Sequence, residues 1–165
     1  MSSIIQKAAG GYRFLVTAAS WVLQPVLLLA IRLCWGWQFF LSGLGKYKTH
    51  DNVVGFFGDL GIPFPELNAW LVATTECVGG MLLLMGLASR LVSIPLLTRM
   101  IVAYATADRE ALGSLDDFLS ATPFLFLLAT LLILAFGPGV LSIDYLIKRF
   151  VLRRRFPDQN PNDQV

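Results

Sequence analysis

Histidine, cysteine and charge are all scarce in this chain of 165 residues. Its one histidine, His50, has no second histidine with which to share a metal ion. The two cysteines, Cys34 and Cys77, both sit inside apolar runs. There is no CxxC pair, no His/Cys cluster and no even framework of extracellular cysteines. These absences exclude a zinc or haem site built by this chain alone. No flavin, iron–sulfur or nucleotide motif is present, so no bound cofactor is expected on this chain alone, and nothing points to nucleic acid. Charged residues make up only 15% of the chain, against about 25% in a soluble domain.

Apolar residues fill the space that charge leaves. They form 56% of the sequence, above the usual range of about 45–50%. A small soluble domain cannot hide that much apolar surface, so hydrocarbon is the expected solvent. Four apolar stretches are evident: about Pro25 to Gly45, Asn68 to Ala88, Arg90 to Ala107 and Phe118 to Phe136. Each is near the roughly 20 residues that cross a bilayer as a helix. Unpaired backbone groups are costly in lipid, and these runs are too long and too uniform for barrel strands. The expected fold is all-α, an integral membrane four-helix bundle in one domain over residues 1–156.

The connections refine this reading. Pro25 suits a first helical position, and the YRFLVTAASWVL segment before it is expected in the interface, with Trp21 at headgroup level. Lys7 and Arg13 precede far more apolar sequence than the roughly 7–15 residues of a signal peptide, so the N-terminus reads as retained. The first connection, about Lys46 to Leu67, contains GIPFPELN, and its Gly and two Pro predict an irregular re-entry turn. The second, GLAS at 86–89, forces an antiparallel hairpin; the third spans Asp108 to Asp117. GPG at 137–139 stops the fourth run, and Ser142 is placed to cap a further helix over 142–156. Ile143, Leu146, Ile147, Phe150 and Val151 share one face of that helix, with Lys148, Arg149, Arg153, Arg154 and Arg155 on the other. That pattern predicts an amphipathic interfacial helix contacting lipid headgroups. Residues 157–165 read as a disordered tail. Pro95 should kink the third helix.

Basic residues near membrane segments stay cytoplasmic. The two terminal segments carry the basic excess, whereas the third connection has Arg109 against Asp108, Glu110, Asp116 and Asp117. Both termini are therefore expected on the cytoplasmic side of a bacterial or archaeal cytoplasmic membrane, in a multi-pass protein.

Three ionisable residues fall inside the runs: Arg32, Glu76 and Arg99. A charge at mid-membrane costs at least about 2.5–3.5 kcal/mol on insertion scales, so each needs a partner. Small residues share their faces, which marks helix contact in lipid. The expectation is a buried network with Glu76 central, paired to Arg32, Arg99 or both, and Gln38 within reach. It either locks the bundle or lends its surplus positive charge to a polar ligand such as a quinone carbonyl or a small anion. Lys46, Lys48, His50 and Asp51 gather at the outer mouth, as a solvated loop or as a substrate or partner patch. Cys34 and Cys77 lie at similar depth, either as small buried residues or as a thiol pair. Trp35, Trp37, Phe39, Phe40 and Tyr47 serve packing and lipid contact, or a stacking wall for a quinone ring.

Several motifs, in order, resemble the DoxX family. RLCWGWQFFLSGLGKY is similar to its first-helix motif, FFGDLGIPFPELNAWL to its re-entry turn, TTECVGGMLLLMGLASRL to its Glu-x-x-Gly-Gly, and FGPGVLSIDYLI to its terminal G-P-G-x-x-S-[LI]-D. The matching positions are Arg32, Gly36, Gly43, Lys46, Glu76, Gly79, Gly80, Arg90, Gly137, Pro138, Ser142 and Asp144; Arg99 lies outside the pattern. The resemblance implies a four-helix membrane protein but no single activity. The family name comes from a small subunit of an archaeal thiosulfate:quinone oxidoreductase, and other members are linked to membrane redox complexes and thiol or oxidative-stress pathways. Three functions follow as expectations: a non-catalytic or quinone-proximal subunit of a membrane redox complex, without activity alone; a purely structural accessory subunit; or a small-solute or anion transporter. Lipids, a larger membrane complex and a quinone are the expected partners.

Overall fold

The computed structural model describes residues 2–152, with side-chain surroundings for Thr17, Ser20 and 22–150. Among these residues every regular element is helical. The helices are α1 (Ser2–Lys48), α2 (His50–Asp59), α3 (Pro65–Met85), α4 (Ser89–Thr106), α5 (Leu115–Ser120), α6 (Thr122–Phe136) and α7 (Ile143–Ile147). A 3₁₀ turn over Arg109–Leu112 precedes α5, and a π-helical turn over Lys148–Leu152 follows α7.

Several boundaries differ from expectation. Pro25 does not start α1 but lies inside it. A proline removes one backbone donor, and a helix flanked by apolar residues continues through that loss in lipid. The first connection is not irregular throughout: α2 occupies its first half, and only 60–64 is bent, where Gly61 and Phe64 both take positive φ. The fourth apolar run is split at Ala121, whose ψ of 142° is extended. Pro123 in the first turn of α6 favours this break, since it has no N–H to continue the ladder from α5 and its ring clashes with the carbonyl four residues back, whereas a first helical turn accepts it. Phe118 therefore belongs to α5. The terminal helix exists as α7, and Ser142 Oγ caps it by accepting from Tyr145 N at 3.1 Å. The rest of the expected 142–156 helix is a π-helical turn as far as Leu152, and residues 153–165, including Arg153, Arg154, Arg155 and the expected tail, lie outside the described residues.

The α3–α4 hairpin is as tight as expected. Gly86 at φ 68° ends α3, with its N–H bonded to Leu83 O and Leu87 N–H bonded to Leu82 O. That is a Schellman motif, which needs a left-handed residue after the helix. Pro95 lies inside α4 without ending it.

Glycines set the pairing of α1 and α3. Gly43 lies against Ala73 and Cys77, and Gly36 and Phe40 lie against Gly80. The paired residue numbers add to about 120 along the whole contact, a constant sum that only antiparallel helices give. Small residues are the usual contact surface where lipid replaces water, because close backbone approach then supplies the attraction. α4 packs on α3 through Leu96 against Gly79, and more extensively on α6. Phe39, Leu83, Leu96 and Ile133 are fully buried, one from each of α1, α3, α4 and α6. Trp35 and Phe39 meet Phe126 of α6 edge to face at 4.9 and 4.8 Å.

The outward surface is apolar. Leu91 is 71% exposed and Phe136 59%, in a long series of open Leu, Val, Ile and Phe side chains. Soluble monomers rarely expose contiguous apolar patches of more than a few hundred Å². Two helical segments, Val22–Lys48 and Pro65–Met85, are long and apolar enough to cross a membrane. α4 has 18 residues but carries Arg90 and Arg99, and α6 is apolar with 15 residues.

Candidate functional site

Glu76 lies midway along α3 and is 1% exposed. One carboxylate oxygen, Oε1, pairs with Arg99 Nη1 of α4, and the other, Oε2, accepts from Lys46 Nζ of α1 at 2.6 Å. Lys46 Nζ also donates to Ser42 Oγ, one turn earlier, at 2.7 Å. A single carboxylate thus ties three helices together. Side-chain exposure is 21% for Lys46 and 18% for Arg99, so both cations keep an edge open. Formally the cluster carries one surplus positive charge.

The expected network is corrected in two members. Arg32 does not meet Glu76. In the α1–α3 register Arg32 faces the end of α3, about 18 Å along the axis from Glu76 at 1.5 Å per residue. Gln38 is exposed and outside the cluster. Lys46, assigned from sequence to the outer mouth, is the second partner instead. The signal was available: Arg32, Gly36, Phe39, Gly43 and Lys46 follow one helical stripe, so Lys46 shares the packed face.

Arg32 organises a separate knot. It is 3% exposed, and its Nη1 and Nη2 donate to Pro138 O at 2.9 Å and Leu141 O at 2.6 Å. A Cβ on Gly86 would stand 2.5 Å from that guanidinium, so glycine there serves both the turn and the arginine. Asp144 accepts from Ala88 N at 2.7 Å and Ser89 N at 3.0 Å, capping α4, and its own N–H donates to Gly86 O at 3.0 Å. This double cap holds Ala88 at φ 49°, a conformation that a non-glycine residue adopts only under constraint. Arg90 Nη2 donates to Ala135 O at 3.3 Å. The segment after α6 is thus stitched to the interior of α1 and to the ends of α3 and α4.

At the mouth, the His50 ring lies 4.4 Å from Trp70, and Tyr47 Oη shares a 2.7 Å hydrogen bond with Thr74. His50 Nδ1 is 3.8 Å from Asp51, while Lys48 and Asp51 are exposed. Residues Tyr47–Asn52 line a shallow, open depression. Cys34 and Cys77 are free thiols; Cys34 is exposed, and Cys77 is half-buried against Gly43. Gly43 is nine residues from Cys34, about 13 Å along α1, so the two thiols are not neighbours. Lys148 and Arg149 are exposed. No group of three or more His, Cys, Asp or Glu comes together among the described residues.

Comparison with known proteins places these features in context. A family model described as DoxX matches residues 27–109, which hold the whole Glu76 cluster. A Bacillus subtilis protein named "Putative oxidoreductase CatD" is 30% identical over 118 residues, 70% of this chain and 83% of that protein. An uncharacterized membrane protein of Mycobacterium tuberculosis is 31% identical over 131 residues, 73% of this chain and 80% of its own length. An uncharacterized protein of Haemophilus influenzae is 28% identical over 128 residues, 75% of this chain and 85% of its own length. No solved structure matches.

Proposed function

Since the chain belongs to the DoxX family of membrane proteins, we propose that it is a multi-pass subunit of a membrane redox complex in the bacterial cytoplasmic membrane, a scaffold beside the electron-transfer partner. In this reading α1, α3, α4 and α6 form a four-helix bundle that crosses the bilayer four times, with both termini in the cytoplasm. The acidic loop around Asp108, Glu110, Asp116 and Asp117 then faces outward, as the distribution of basic residues requires. A quinone belongs to this proposal as a neighbour at the helix surface, and the chain has no catalytic activity by itself.

One observation carries the proposal. The buried polar side chains join helices, through Glu76 between Lys46 and Arg99 and through Arg32 on the segment after α6, while the outward faces are apolar and left to lipid or partner helices. The name of the Bacillus subtilis relative supports a redox setting. The purely structural accessory role remains the second reading, favoured by the same tied helices.

Purification from native membrane in mild detergent tests the proposal. The expected result is a larger assembly containing a redox-active protein, with quinone extracted in excess of background. A chain that runs alone without quinone, and moves an anion when reconstituted in vesicles, refutes it in favour of transport. An assembly without redox activity selects the accessory role.

A further inference from the structure

The Lys46–Glu76–Arg99 cluster is incomplete as a closed ion network. Glu76 gives each cation one oxygen, and both oxygens are then engaged. Arg99 is left with its Nε–Nη2 edge, and Nε is a buried donor without a partner. That edge is the planar two-donor fork that matches two oxygens of one acid group. Lys46 has a third donor beyond Ser42 and Glu76. Both cations are partly open while their carboxylate is sealed, so the surplus positive charge sits on the accessible side. An uncompensated charge within a hydrocarbon-facing bundle is expensive, and a structural lock for Glu76 needs only one of the two cations.

From this we infer that the cluster is a binding seat for one singly charged oxyanion, a phosphate-type group received between Arg99 and Lys46 with Glu76 as the fixed counter-charge. The group comes either from an anionic lipid headgroup or from free phosphate. The inference uses the membrane placement proposed above but not the redox partner, and it is tested on the isolated chain.

The experiment uses the full chain in nanodiscs of phosphatidylcholine with a minor fraction of phosphatidylglycerol, and native mass spectrometry to count retained anionic lipid. Inorganic phosphate, titrated against thermal unfolding in neutral detergent, is the second arm. The expected result is one tightly retained phosphatidylglycerol per chain, weakened at least about tenfold by Arg99→Gln, as for loss of a charge-assisted pair. Glu76→Gln removes the counter-charge and should tighten retention, the opposite sign to its effect on stability. Should either variant fail to fold, Lys46→Met also lowers the site charge by one and must weaken retention. If phosphate alone binds with the same order of variants, free anion is the source and the seat stands. Equal retention in all variants, or loss only with Lys148→Gln and Arg149→Gln at the exposed basic turn, overturns the proposal.

Discussion

Adding one methyl group to Gly43 should pry α1 from α3. A Cβ there would fall 2.8 Å from Ala73 O and Cys77 Cα, and closer still to Cys77 N. These are backbone atoms, so no rotamer change relieves the clash, and the helices must separate by about 1 Å to restore ordinary contact. Gly45, two residues on, has nothing within 4 Å of its own Cβ position. Both substitutions gain the same helix propensity, about 1 kcal/mol for Gly to Ala. Their difference therefore isolates packing, which overpacking data place at about 1–3 kcal/mol, and more against rigid backbone. Unfolding by sodium dodecyl sulfate titrated into mixed micelles measures both. Gly43→Ala should unfold at clearly lower denaturant fraction than wild type, and Gly45→Ala at the same or higher fraction. Coincident midpoints would mean that the α1–α3 register is wrong.

Other outcomes follow from the same geometry. Asp144→Asn should cost about 1–2 kcal/mol, since a carboxylate capping two N–H groups is replaced by a weaker acceptor; hydrogen exchange at the start of α4 should accelerate, and unchanged protection of Ala88 and Ser89 would contradict it. Arg32→Met should loosen the segment around Pro138 and Leu141 while leaving the Glu76 cluster intact, seen as faster proteolysis at residues 137–142 with no change in phosphatidylglycerol retention. Maleimide should label Cys34 faster than Cys77 in detergent, and copper phenanthroline should form no disulfide within one chain. An oxidised intramolecular pair would place the two thiols together and break the register.

Much of the fold is legible in the amino-acid sequence, because lipid imposes it. Long apolar runs must be helical, GLAS admits only a hairpin, and Ser142 is in place to cap. Glu76 and Arg99 sit on small-residue faces, so their pairing follows from the need to bury charge against charge. Registers are another matter. Counting from helix ends places Arg32 and Glu76 at similar depth, but the close approach of Gly43 to Cys77 and Gly80 to Phe40 slides α1 until Lys46, not Arg32, is opposite Glu76. That slide is a tertiary property, fixed by backbone contact between glycines. The helix α2 escapes notice because the two prolines and Gly61 lie together at 61–65, after it, leaving ten residues free to turn. The break at Ala121 is local and was legible in Pro123.

Thiol accessibility from each side of the membrane is the most direct test of a four-crossing bundle with cytoplasmic termini. With Cys34→Ser and Cys77→Ala as background, Gly113→Cys lies in the turn between α4 and α5, and Lys148→Cys lies after α7. A membrane-impermeant maleimide applied to intact spheroplasts should modify the first at once and the second only after permeabilisation. Labelling of both sites from outside, or of Lys148→Cys alone, would mean that the chain does not cross as proposed.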